Sequence, residues 1–177
     1  TGLLTLSGGT RLLTGAAQVI GNAIAVGGDF GFDSTVPGGS NLTLSGLVTL
    51  PGTVTIDVNK PGMTAALGTI TRQGGAGPIA ITITGLGTLA LRALQPGNTV
   101  TLNLNDGNLS LLHDGDGTGS RQVINTGITL VPTAALNLTI GRLGSTYAPL
   151  FALASNKTLQ MPGFVMQGPL SVTNNHG

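Results

Sequence analysis

Apolar residues alternate with Thr, Ser and Asn in short runs along most of this chain and seldom recur at intervals of three and four. A period of two is that of a strand with one buried face. The pattern predicts strands at Leu3–Leu6, Ala23–Val26, Leu42–Leu44, Leu47–Leu50, Val54–Val58, Ala80–Thr84, Thr88–Leu91 and Val100–Leu104. It continues with strands at Leu109–Leu112, Ile128–Val131, Leu136–Ile140, Thr158–Met161 and Leu170–Thr173. Clusters such as Pro37-Gly38-Gly39, Pro51-Gly52 and Pro61-Gly62 separate the runs, and Pro and Gly supply turns by their own backbone preferences. Helix formers are sparse beside Thr, Val, Ile, Gly and Asn, so the fold class read from the pattern is all-β.

Many short strands suit a sandwich, a barrel or a solenoid. Internal similarity separates them. Gly2-Leu3-Leu4-Thr5-Leu6-Ser7 reads like Gly85-Leu86-Gly87-Thr88-Leu89-Ala90-Leu91, and Asn41-Leu42-Thr43-Leu44 recurs as Asn108-Leu109-Ser110-Leu111 and Asn137-Leu138-Thr139-Ile140. Self-similar strand units without a strict period point to a β-solenoid with loops of variable length. With roughly 20 to 25 residues per coil, the chain makes about 7 to 9 coils stacked about 4.8 Å apart, a rod on the order of 40 Å long. In this register Leu89, Leu91, Leu102, Leu104, Leu109 and Leu111 face inward, and residues 1–177 form one continuous segment. Thr1 is no initiator Met and no leader precedes the first run, so the expectation is a piece of a longer repeat protein.

Composition narrows the function. The 177 residues include 30 Gly and no Cys, no Trp and no Glu, and only 7% are charged. The absence of Cys removes thiol catalysis, zinc ribbons and disulfides. Seven Lys and Arg spread along the length, with a net charge of +1, do not form the clustered footprint that nucleic acid needs. No apolar run reaches the roughly 18 to 20 residues of a spanning helix, so no membrane insertion by this segment is expected.

The densest polar cluster is His113-Asp114-Gly115-Asp116-Gly117, with Asp106 before it. Asp106, Asp114 and Asp116 offer hard oxygens of the kind Ca²⁺ takes, but no Glu is present to complete an EF-hand loop. A solvated loop between coils is the preferred reading, and neither a metal nor a cofactor is expected. A glycosidase needs two carboxylates astride the cleaved bond. Asp114 and Asp116, with His113 and Arg121, would have to supply them without an aromatic platform other than Tyr147. A nucleophilic Ser lacks its Gly-x-Ser-x-Gly elbow. The expectation is therefore not an enzyme. Arg11, Arg72, Arg92, Arg121 and Arg142 are expected on loops or the outer surface as solvated charges, and the Asn-x-Ser/Thr tripeptides at Asn41, Asn108, Asn137 and Asn156 as chance occurrences. Thr-x-Thr starts at Thr53, Thr69, Thr82 and Thr99, resembling the flat Thr arrays of ice-binding solenoids, but the starts are too irregular to require one face. Ordinary outward Thr is the preferred reading.

GLLTLSG at Gly2–Gly8, AIAVGGDFGF at Ala23–Phe32, SNLTLSGLVTL at Ser40–Leu50, ITGLGTLAL at Ile83–Leu91 and LSLLHDGDGTGSRQVINTGITL at Leu109–Leu130 resemble the autotransporter-associated β-strand repeat proteins. Leu136–Gly144 and Leu170–Gly177 are similar to a further unit of that family. Where the family usually carries Asn-Thr-Tyr-Thr-Gly-Gly after its GTLxL strand, this chain has Gln95-Pro96-Gly97-Asn98-Thr99. The resemblance implies a right-handed parallel β-helix and export to the bacterial surface or medium. It also implies a structural or adhesive role without a shared catalytic site. Expected partners are further coils of the same protein or identical subunits joined head to tail, and surface glycans or matrix. A carbohydrate-binding or carbohydrate-cleaving β-helix is the alternative.

Overall fold

In the computed structural model, the structure describes residues 2–95, 98–113, 128–132, 136–142 and 170–174. Sixteen strands and no helix occur among them. In chain order they are β1 (Leu4–Leu6), β2 (Thr10–Thr14), β3 (Gln18–Ile20), β4 (Ile24–Val26), β5 (Phe30–Ser34), β6 (Leu42–Leu44), β7 (Val48–Leu50) and β8 (Thr53–Val58). They continue with β9 (Thr64–Arg72), β10 (Pro78–Gly85), β11 (Thr88–Leu94), β12 (Thr99–Leu104), β13 (Asn108–His113), β14 (Ile128–Pro132), β15 (Leu136–Arg142) and β16 (Leu170–Asn174). The predicted run Thr158–Met161 lies outside the described residues.

Every pairing between them is parallel, and all but that of β15 with β16 join strands that are not consecutive in the chain, which is the topology of a solenoid. One sheet runs β1-β4-β7-β9-β11-β13-β15-β16 with β3 and β6 beside it, and the other runs β2-β5-β8-β10-β12-β14. The chain makes about four turns up to residue 110. Turn length varies more than a strict repeat allows: Leu4 stacks on Ile24, 20 residues on, whereas Asp57 stacks on Thr84, 27 residues on.

The cross-section changes along the axis. The first turns carry three short strands each, so β3 and β6 stack in one column and β1, β4 and β7 in another. β9 joins the two columns, because its first half pairs with β6 and its second half with β7. Gly68 makes the merger. A Cβ there would lie 2.7 Å from the Gly46 carbonyl oxygen and 2.8 Å from that of Ser45, so only glycine lets β9 pass straight over the corner that separates β6 from β7.

Inward positions form aliphatic ladders one residue wide. Val54, Ile81 and Leu102 stack in register, as do Phe30, Ile56 and Ile83, and Ala65, Leu89 and Leu109. All are buried. Phe30 and Phe32 are buried and pack edge to face, with ring centroids 5.4 Å apart. Of the residues expected inward, Leu89, Leu91, Leu102 and Leu109 are buried, while the side chains of Leu104 and Leu111 lie outside the description.

Four strands escape the pattern reading. β2 and β5 carry Arg11, Gly31 and Asp33 at outward positions, β3 is three residues long, and β9 opens Thr-Ala-Ala with a glycine inside it. Outward charges and glycines look like loop signals in one dimension. In the solenoid wall the charges line the outer face, while Gly31 and Gly68 are buried where neighbouring groups pass close to them.

Candidate functional site

Polar side chains gather on the outer face of the second sheet. Arg11 in β2, Gly31 in β5, Asp57 in β8 and Thr84 in β10 occupy one column across four successive strands. Gly31 contributes no side chain, and the Arg11 guanidinium passes over it: Nη2 meets Asp57 Oδ2 at 2.8 Å and Nη1 lies 3.8 Å from Asp33 Oδ2. Thr84 Oγ1 donates to Asp57 Oδ1 at 3.0 Å. Asn59 Nδ2 donates to Asp33 Oδ2 at 3.0 Å, and the Ser34 amide donates to Asp33 Oδ1 at 2.7 Å. The Asn59 hydrogen bond first, then that of Ser34, holds the Asp33 carboxyl below its ordinary range, with smaller help from Arg11 and Lys60 against a modest desolvation cost.

This pair, Asp33 and Asp57, is the closest thing to a carboxylate dyad among the described residues, and the sequence reading missed it. The available signal was spacing near one coil length from Arg11 to Asp33 and from Asp33 to Asp57. The chemistry of the pair is nevertheless closed. Each of the four carboxylate oxygens already accepts a bond from the protein, and at Asp33 the bonds from Asn59 and then Ser34 disfavour the neutral form that a general acid requires. The arrangement fastens coils together.

The same use of polar groups recurs elsewhere. The Thr55 amide donates to Asp29 Oδ1 at 2.6 Å, the Thr64 amide to Asn41 Oδ1 at 3.1 Å and the Arg72 amide to Asn98 Oδ1 at 3.2 Å, at separations of 26, 23 and 26 residues. Asn22 Nδ2 reaches the Gly2 carbonyl, 20 residues back, at 2.7 Å. These separations are one turn, so the bonds run along the rod axis. Asn98 is buried, and its amide also donates to Gln95 O at 3.0 Å, which satisfies both ends of the side chain.

Of the candidate Ca²⁺ ligands, Asp106 alone lies within the described residues. Asp106 is exposed at the corner after β12, with Oδ1 accepting the Gly107 amide at 2.8 Å, and Asp114 and Asp116 lie outside the described residues, as do Arg121 and Tyr147. Among the described residues no group of three His, Cys, Asp or Glu is placed to hold a metal. His113 ends β13, where its backbone pairs with Arg142.

Two expectations about surface residues gain detail. Of the loop and outer-surface positions expected for the arginines, Arg11, Arg72, Arg92 and Arg142 occupy strands, and Arg11 is an ion-pair partner in place of a free solvated charge. Three of the four Thr-x-Thr motifs share one sheet, in β8, β10 and β12, with Thr55 in register with Thr82 and Ala80 with Thr53 and Thr101. Irregular spacing in sequence hid this, because turns of different length still place their strands in one wall. The copy at Thr69 belongs to the other sheet. The array is interrupted by Ala80, Asn103 and Asp57, so outward Thr in an ordinary wall still describes it.

No family model, curated protein or solved structure matches the chain.

Proposed function

We propose that the chain is a structural segment of a bacterial exported β-solenoid, a stretch of surface stalk, adhesin passenger or extracellular fibre. The observation that carries this reading is the direction of the polar bonds. Asp29, Asp33, Asn41, Asp57 and Asn98 bind groups one turn away, and Arg11 binds a group two turns away, so the conspicuous polar side chains tie the rod along its length. A wall that uses its carboxylates this way is suited to transmit load and keep spacing. In the same reading the helix is right-handed and continues through residues 1–177 as about 7 to 9 coils. A right-handed path is also the usual one for parallel strands joined by crossovers.

The proposed location, outside the cell or on its surface, rests on the likeness of the Gly-Leu-Thr-Leu units to autotransporter-associated repeats. The proposed partner is a further coil of the same protein or an identical subunit. Sedimentation over a range of concentrations tests that contact, and concentration-independent monomers overturn it.

The test of the main reading is a glycan array of acidic and neutral polysaccharides together with negative-stain imaging. A straight rod without saturable sugar binding is the expected outcome. Saturable binding abolished by Asp114→Ala or Tyr147→Ala transfers the assignment to a carbohydrate-binding or carbohydrate-cleaving β-helix.

A further inference from the structure

The corner between β12 and β13 contains Asp106-Gly107, an aspartate followed by glycine outside the strands. The Gly107 amide points at its own neighbour, donating to Asp106 Oδ1 at 2.8 Å, while the preceding two amides, of Asn105 and Asp106, reach back to the Ile83 carbonyl of the turn before. Gly107 adopts φ 82°, and Asp106 is exposed. We infer that Asp106-Gly107 is a covalent modification site, at which the aspartate isomerises spontaneously to isoaspartate.

The reaction needs only water. The Gly107 nitrogen loses its proton and bonds to Asp106 Cγ, and the carboxylic hydroxyl leaves as water, closing a five-membered succinimide. Water then adds to one of the two ring carbonyls. Addition at Cγ breaks the new bond and restores aspartate. Addition at the main-chain carbonyl breaks the original peptide bond, so the backbone now runs through Cγ and carries one extra methylene.

Three features of the corner favour the reaction. The hydrogen bond places Cγ one bond from an oxygen that is 2.8 Å from the attacking nitrogen. Glycine leaves that nitrogen unshielded by a Cβ. Exposure admits the water that opens the ring.

Asp33-Ser34 is an internal control, since it has the same local bond, Ser34 amide to Asp33 Oδ1 at 2.7 Å. There Asn59, and to a smaller degree Arg11, add to the Ser34 amide in holding the carboxylate as the anion, the next residue carries a buried side chain, and both residues lie within β5. An anionic carboxylate has no good leaving group, and a paired strand resists the rotation that ring closure demands.

The change has a structural cost at this place. A Cβ on Gly107 would come within 2.8 Å of the Gly85 carbonyl oxygen and 2.9 Å of that of Gly87, so the corner is packed directly on the one before it. An added methylene displaces Asn108 from its register with Thr88 and loosens β13 on β11.

The experiment ages the intact chain at physiological temperature in water enriched in oxygen-18, followed by proteolysis and electron-transfer fragmentation. The expected result is isoaspartate at Asp106, with one heavy oxygen gained per passage through the ring, accumulating at least about tenfold faster than at Asp33. Asp106→Ser, which cannot cyclise, keeps its initial melting temperature over the same period while the parent's falls. Absence of isoaspartate at Asp106, or equal accumulation at Asp33, overturns the inference.

Discussion

The Arg11 guanidinium reaches the Asp57 carboxylate, 2.8 Å away, across a strand whose intervening residue is Gly31. Neighbouring strands lie about 4.8 Å apart, so a contact between side chains two strands apart requires a long donor and an empty position between. Gly31 is that empty position. A Cβ there would lie 3.0 Å from the Asp57 carbonyl oxygen and 3.6 Å from Arg11 Cζ. The bond therefore depends on three residues in three turns, and it joins the first turn to the third.

A double-mutant cycle of Arg11→Ala and Asp57→Ala, read by chemical denaturation, should give a coupling of about 0.5 to 1 kcal/mol that shrinks in high salt, since both side chains are partly exposed. Gly31→Val should remove most of that coupling and add strain of its own. Equal coupling in the Gly31→Val background would mean that Arg11 has another route to Asp57.

Asp33 should titrate below 3.8, its ordinary value, because the Asn59 amide and the Ser34 amide bind its ionised form. A carboxyl whose folded pKa is depressed contributes stability that is present in full above the unfolded value. That contribution is lost as the pH falls through the folded one. The protein should lose this increment only on the acid side of 3.8. In Asn59→Ala the Asp33 titration, followed by carboxyl-carbon NMR, should move up toward the ordinary value; an unmoved titration would assign the effect to Ser34 instead.

Leu102→Ala should cost about 2 to 5 kcal/mol by thermal or denaturant unfolding, the range for truncating a fully buried leucine. Leu102 is stacked on Ile81, so the surrounding ladder has little freedom to collapse into the gap. Leu102→Asp should be worse, because it buries a carboxylate without a partner. A variant that melts like the parent would place Leu102 on the outer wall.

The inward ladders were legible in the sequence because alternation survives variable loops. Leu89, Leu91, Leu102 and Leu109 follow from period two alone, and each is buried. Legibility failed where one residue type serves two purposes. Gly31 reads as a turn signal but leaves room for Arg11, and Gly68 reads as a breaker but lets β9 cross a corner. The polar column failed for a different reason. Arg11, Asp33 and Asp57 are neighbours only once turns of unequal length are laid over one another, and sequence spacing alone does not fix those lengths.

Chelation should leave the melting temperature unchanged. Asp106 Oδ1 is engaged by the Gly107 amide, and the oxygens of Asp33 and Asp57 are occupied by protein donors. Because a metal that holds a fold together adds its binding energy to folding, a large loss of stability in EDTA restored by Ca²⁺ would be decisive against this. It would point to Asp114 and Asp116 acting with Asp106.

Two glycine substitutions should differ in sign for a geometric reason. At Gly68 a methyl group would meet three backbone carbonyl oxygens, of Leu44, Ser45 and Gly46, at 2.9, 2.8 and 2.7 Å. Backbone in a paired sheet cannot step aside as a flexible side chain can, so Gly68→Ala must push β9 off β6 and break the ladder locally. A loss of about 1 to 3 kcal/mol is expected, as for other overpacked sites. At Gly8 the added carbon would find the Gly28 Cα at 3.7 Å, an ordinary contact, and the backbone there is not left-handed. Gly8→Ala should therefore be neutral or stabilise by up to about 1 kcal/mol, by removing conformational freedom from the unfolded chain. Denaturant midpoints of the two variants against the parent decide the matter. If Gly68→Ala is as stable as the parent, β9 does not pass over the Gly46 corner, and the merging of the two strand columns at that turn is wrong.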